Sequence, residues 1–169
     1  MLLSVVIPVY RSETTIGPLM ERLQATLAGH VVEVILVDDG SRDRSGQVIA
    51  RLADQYDNVT AVSLRRNFGE FNAVLCGLTF VQGQYAVIID DDFQNPPAEI
   101  LKLVRAAEAG SYDVVYSYYA DKKHHWFRNL GSRLTNALAT YLLRKPKRLY
   151  LSSFKLIRRE VVQEIIRYT

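Results

Sequence analysis

The chain has 169 residues, 49% hydrophobic and 23% charged, which suits one folded core and excludes a disordered or fibrous chain. Its one cysteine, Cys76, excludes a disulfide framework and a cysteine-built zinc site, and fits a reducing compartment. Net charge is +3, but residues 1–110 carry 9 Lys/Arg against 14 Asp/Glu, whereas residues 111–169 carry 12 against 4.

That asymmetry predicts two roles. Clustered carboxylates can hold a cation, and a basic flank can meet phosphates or an anionic lipid surface, or form only a solvated face. The start of the chain has no basic stretch and reaches Pro8 early, unlike a secretion signal. No run of 18 apolar residues is present, so no span of a bilayer is expected within the sequence.

In chain order, residues 3–8 read as a buried strand closed by proline. Residues 14–27 read as a helix, with Pro18 near its start and a stripe of Leu19, Leu23 and Leu27. A second strand is predicted over 32–37, and a helix over 44–55 capped by Ser41 or Asp43. A strand over 59–64, a helix over 71–81 and a strand over 85–89 follow, the last running into Asp90-Asp91-Asp92. Asn95 and two prolines start a helix over 97–109, and a strand covers 114–118. The pattern then changes to an amphipathic helix over 126–143, a basic break over 144–148, a short strand over 152–157 and a last helix over 159–167. Alternation of strand and helix with short links predicts a three-layer α/β/α domain with a mostly parallel central sheet, Rossmann-like in build.

Such sheets bind ligands beyond the carboxyl ends of their strands, so the polar residues there are the candidates. Asp90-Asp91-Asp92-Phe93-Gln94 puts three like charges at a strand end, which favours a compensating cation. Strand alternation would turn Asp90 and Asp92 to one side and Asp91 to the other. Oxygen donors select a hard ion, Mg²⁺ or Mn²⁺. Asp38-Asp39-Gly40-Ser41 can accept from a ribose or a base, or be a turn and cap alone. Tyr10 offers a stacking face and Glu13 an acceptor, or both sit in an ordinary capped loop. Arg65-Arg66-Asn67-Phe68-Gly69 can meet phosphate or remain a solvated charge pair. His124 and His125 read as surface residues, because a helical metal pair wants i,i+4 spacing. Arg128 and Ser132, one turn apart, can hold an anion or lie on an ordinary amphipathic helix.

Together, Val5-Val6-Ile7-Pro8-Val9-Tyr10, Val37-Asp38-Asp39-Gly40-Ser41, Arg66-Asn67-Phe68-Gly69 and Asp90-Asp91-Asp92-Phe93-Gln94-Asn95-Pro96-Pro97 resemble one family over nearly the whole chain. This is the inverting family 2 glycosyltransferases, of GT-A fold, with the likeness pointing to dolichyl-phosphate mannose synthases and undecaprenyl-phosphate glycosyltransferases. The resemblance implies that Pro8, Tyr10, Glu13, Val37, Asp39 and Asn67 line the nucleotide pocket, with Asp90 and Asp91 beside the sugar diphosphate. It implies Asp90, Asp92 and Gln94 as ligands of Mg²⁺ or Mn²⁺, and Arg128, Ser132 and Lys155 as the grip on an acceptor phosphate. Asp91, Asp92 and Arg128 would then carry catalysis. Arg11-Ser12 depart from the family's usual Asn-Glu, and no acidic residue precedes Ser153-Phe154-Lys155.

The expected organisation is one catalytic domain: a nucleotide-sugar part over 1–120, and an acceptor part over 121–169 that stops short of membrane helices. The expected reaction moves a sugar from a nucleotide-diphosphate sugar to a polyprenyl phosphate at the cytoplasmic face of a membrane. Transfer to a saccharide hydroxyl and a non-catalytic nucleotide-sugar-binding module are the alternatives. No nucleic-acid partner is expected, and self-association stays open. A nucleotidyltransferase or a dinucleotide-binding dehydrogenase would want glycines after the first strand, and residues 8–13 contain none.

Overall fold

The computed structural model describes residues 2–117 and 152–168. The strands are β1 Leu2–Val9, β2 Val31–Asp38, β3 Val59–Ser63, β4 Tyr85–Ile88, β5 Val114–Tyr116 and β6 Lys155–Arg158. The helices are α1 Ile16–Thr26, α2 Ser45–Gln55, α3 Glu70–Leu78, α4 Ile100–Gly110 and α5 Arg159–Arg167, with a 3₁₀ turn Pro97–Glu99 leading into α4.

The six strands form one sheet in the order β3-β2-β1-β4-β6-β5. β1 pairs in parallel with both β2 and β4, and β2 with β3. β6 runs antiparallel to β4, setting Lys155 opposite Ile88. The chain thus winds outward from β1 through β2 to β3, then returns to the other side of β1 as β4. A crevice opens at such a reversal, between the carboxyl ends of the two strands that flank it.

Period-two alternation divides the apolar residues between two cores. Val5, Ile7 and Val9 of β1, Val34 and Leu36 of β2, and Val87 of β4 meet Leu19, Met20 and Leu23 of α1, Ile49 of α2 and Leu103 of α4. On the opposite face Val6, Ile35, Val37, Ala86 and Ile88 meet Ala73, Val74 and Leu78 of α3 and Val162 of α5. The predicted three layers and mostly parallel sheet are present. Coverage on both faces is why β1 and β2 read as continuous apolar runs.

Several boundaries differ from the sequence reading. Helix α3 begins at Glu70, because Gly69, with φ of +92°, breaks the backbone and its carbonyl accepts from Asn72 and Ala73 N–H. Asn95 does not cap the 97–109 helix: it is buried, Pro96 takes the cap position, and no side chain bonds the first turn there. The α2 cap is likewise Arg44, although the Asp43 carboxylate accepts Ser45 N–H at 3.1 Å. The last strand starts at Lys155 rather than at residue 152.

Chain contacts divide the molecule into residues 1–115 with 153–169, and a second unit of residues 116–152. Of the second unit only residues 116, 117 and 152 are described, and there Ser117 donates to the Ser152 hydroxyl at 2.9 Å. The predicted helix over 126–143, the basic break over 144–148, His124 and His125 lie outside the described residues. Among the described residues no helix is long and apolar enough to cross a membrane.

Candidate active site

A cleft of about 360 Å³ lies at the carboxyl ends of β1 and β4, where the winding reverses. β1 contributes Pro8, Val9 and Tyr10, and the turn after β2 contributes Asp39. The segment from β3 into α3 contributes Asn67, Gly69 and Glu70. Asp90, Asp91, Asp92 and Gln94 follow β4.

Asp39 is buried, at 2% exposure, and both its oxygens are engaged. One accepts Phe68 N–H at 2.7 Å and the other Gly69 N–H at 2.9 Å. The carboxylate therefore fixes the segment that carries Asn67 and Glu70 into the cleft. Gly40 completes this joint: its φ is +65°, and a Cβ there would stand 2.3 Å from the Arg66 carbonyl carbon. Two backbones meet where no side chain fits. The Arg66 guanidinium lies 4.7 Å from the Phe68 ring centre, a stacked pair on the exposed side of the segment.

The loop after β1 is held as firmly. Arg11 takes a left-handed conformation, φ +56°, and its N–H donates to the Ser41 hydroxyl at 3.0 Å. Its guanidinium lies 5.2 Å from the Tyr10 ring centre. Ser12 N–H donates to the Ser45 hydroxyl at 2.7 Å, and the Ser12 hydroxyl donates to Asp91 Oδ2. Tyr10 N–H reaches the same oxygen at 3.3 Å. Glu13 instead accepts Arg44 N–H at 2.8 Å, at the start of α2 and off the cleft wall. Val37 is buried in the core beneath, also off the wall.

β4 ends at Ile88, and residues 91–95 form turns in which Phe93 has φ +61°. Strand alternation therefore does not govern the aspartates, and all three line the cleft. Each is held by a different partner. Asp90 accepts from the Ser153 hydroxyl at 2.5 Å, and Asp91 from Ser12. Asp92 accepts the Gln94 backbone N–H at 3.0 Å and the Gln94 side-chain amide at 2.6 Å.

Burial and, after it, charge crowding shift three groups of the cleft. Burial pushes the Asp91 carboxyl up, against the hydrogen bonds from Ser12 and Tyr10 that favour its anion. The Glu70 carboxyl, exposed but partly shielded by the cleft wall, is pushed up first by that shielding and then by the neighbouring charge of Asp90, with Asp91 and Asp92 adding to it and Lys155 opposing. Burial lowers the Lys155 ammonium below its ordinary 10.5, against the attraction of Glu70 and Asp90. The β4–β6 register carries Lys155 to this acidic cluster. Sequence reading missed Glu70; the signal was an acid directly after Arg66-Asn67-Phe68-Gly69, at the first residue of a helix. Arg128 and Ser132 lie outside the described residues.

Asp90, Asp92 and Gln94 all line the cleft and offer oxygen donors, a set that suits a hard divalent ion. Among the described residues no group of three or more His, Cys, Asp or Glu side chains is arranged as a metal site. Any cation there needs the Gln94 amide or a ligand's own oxygens to complete its shell, as divalent ions bound with diphosphates do.

Comparison with known proteins assigns the chain to a family. Glycosyl transferase family 2 matches residues 4–166. The chain is 42% identical over 138 residues to an undecaprenyl-phosphate 4-deoxy-4-formamido-L-arabinose transferase of Edwardsiella ictaluri, covering 80% of this chain and 42% of that protein. It is 37% identical over 166 residues to the transferase of the same name from Photorhabdus laumondii, covering 96% of this chain and 51% of that one. The chain thus spans about half the length of the curated relatives it matches. The crystal structure of glucosyl-3-phosphoglycerate synthase from Mycobacterium tuberculosis, in complex with Mn²⁺, UDP and phosphoglyceric acid, superposes with a TM-score of 0.71 at 22% identity, over 94% of this chain and 56% of that one. With its sheet wound about β1 and its cleft at the reversal, the chain belongs to glycosyl transferase family 2 and has the GT-A fold.

Proposed function

We propose that the chain is the donor-binding catalytic part of an inverting glycosyltransferase that moves a sugar from a nucleotide-diphosphate sugar to a polyprenyl phosphate. The observation that carries this reading is the run Asp90–Asp92 lining the crevice beside Tyr10, in a chain similar to undecaprenyl-phosphate transferases. Residues 1–120 would hold the donor and 121–169 would face the acceptor, at the cytoplasmic surface of a membrane.

The roles follow from the cleft chemistry. Tyr10 offers a ring on which a base can stack, beside Pro8 and Asn67. Asp39 holds the Asn67–Glu70 wall in place through the two amides it binds. Asp90, Asp92 and Gln94 would hold Mg²⁺ or Mn²⁺, which when bound neutralises the charge that gathers on the departing diphosphate. Ser12 and Tyr10 orient Asp91 toward the sugar-phosphate.

The reaction is one displacement at the anomeric carbon: the acceptor oxygen forms its bond as the bond to the diphosphate breaks, and the configuration inverts. A phosphate acceptor is an anion at neutral pH and needs positioning rather than a general base. Arg128, Ser132 and Lys155 are the residues proposed for it. The test is incubation with radiolabelled nucleotide sugars, Mn²⁺ and undecaprenyl phosphate in detergent. A labelled lipid that forms only with Mn²⁺ and undecaprenyl phosphate supports the reading; nucleotide-sugar binding without any transfer to phosphate overturns it.

A further inference from the structure

Glu70 is the cleft residue that neither the sequence motifs nor the roles above use. It is the first residue of α3, set on the cleft wall by the Asp39 clamp on Phe68 and Gly69. The other cleft carboxylates are occupied. Asp39 holds two backbone amides, Asp90 the Ser153 hydroxyl, Asp91 the Ser12 hydroxyl and Asp92 the Gln94 amide. Glu70 makes no hydrogen bond among the described residues and is exposed, within the field of Asp90 and of Lys155.

A carboxylate with free acceptor oxygens, fixed at its backbone and open to solvent, can take two hydroxyl protons at once. Neighbouring hydroxyls of a sugar present that pair; the ribose of the nucleotide does so too, but Glu70 lies in the field of Asp90, Asp91 and Asp92, the end of the cleft assigned above to the sugar diphosphate. Resting on the donor-binding reading above, we infer that Glu70 is the residue that selects the donor sugar, accepting hydrogen bonds from its hydroxyls and making no contribution to holding the nucleotide. A carboxylate so used discriminates strongly, because a sugar lacking the matching hydroxyl leaves a charged acceptor unpaired.

The alternative role is structural: an acid in the first turn of a helix stabilises that helix. Calorimetry separates the two. UDP and a panel of UDP-glucose, UDP-galactose, UDP-N-acetylglucosamine, UDP-glucuronate and UDP-arabinose are titrated with Mn²⁺ into the wild type, Glu70→Gln and Glu70→Ala, and thermal midpoints are recorded alongside. The wild type is expected to bind one UDP-sugar more tightly than UDP. Glu70→Ala is expected to lose about ten-fold of that preference while UDP affinity stays within about two-fold, with Glu70→Gln between the two. Equal weakening of UDP and UDP-sugar, with a lowered midpoint, would overturn the inference in favour of the helix role. An unchanged preference in Glu70→Ala overturns it outright and leaves the donor site standing. If the wild type binds neither UDP nor any UDP-sugar, the donor site itself fails and Glu70 falls with it.

Discussion

The Ser12 hydroxyl donates to the Asp91 carboxylate, tying the loop after β1 to the turn after β4 across the point where the sheet reverses. The same oxygen takes Tyr10 N–H, so one carboxylate sets the spacing of both lips of the cleft. Ser12 is itself buried and anchored through its N–H to Ser45 of α2. Replacing it with alanine leaves a half-buried carboxylate with one long backbone hydrogen bond. Ser12→Ala should therefore cost about 1–2 kcal/mol in urea unfolding, with Ser12→Thr recovering most of it. Equal stability of Ser12→Ala and wild type would mean that the contact does not form in solution.

Gly40 carries a second prediction. A methyl group there meets the backbone of Arg66 and Asn67 within 2.6 Å, and the φ of +65° disfavours any L side chain. Backbone cannot swing aside as a flexible side chain would. Gly40→Ala should destabilise the fold by roughly 2–4 kcal/mol, read from chemical denaturation, and should also loosen the Asp39 clamp on Phe68 and Gly69. A loss below about 0.5 kcal/mol would mean that the two loops do not pack as described.

Lys155 gives a pH test. Its folded-state pKa lies below 10.5, so the folded chain releases this proton more readily than the unfolded chain does. Through the interval from the folded value up to 10.5 the unfolded state binds more protons, and the group's contribution to stability rises with pH. Lys155→Met removes the charge. Measured with a chelator present, its thermal midpoint should exceed that of the wild type most at neutral pH, and the gap should shrink toward pH 10.5. A gap that does not change with pH would place the Lys155 ammonium in water.

The layers and the site were legible in the sequence to different depths. Val34-Ile35-Leu36-Val37 and its counterparts in β1 and β4 announced a doubly covered parallel sheet, because coverage on both faces abolishes the alternation an exposed sheet would show. Asp39 and the aspartate run stood out because acids directly after apolar runs mark strand ends. What those acids hold was not legible. The Asp39 clamp joins residues 39 and 68–69, and the Ser12–Asp91 bond spans 79 positions, so each depends on which strands become neighbours. Glu13 shows the same dependence: its carboxylate accepts the Arg44 N–H ahead of α2, a partner 31 positions away that no local pattern names. Glu70 was hidden because its meaning comes from Asp90 and Lys155, which the sheet order brings to it from elsewhere in the chain.

If the aspartate turn after β4 binds a diphosphate through a divalent cation, calorimetric titration of UDP into the wild type and Asp92→Ala, each with Mn²⁺ and with EDTA, will show it. Mn²⁺ should tighten UDP binding to the wild type by about ten-fold or more, and Asp92→Ala should lose this gain while remaining folded. A wild type indifferent to Mn²⁺, or an Asp92→Ala variant that keeps the full gain, would contradict binding through the cation.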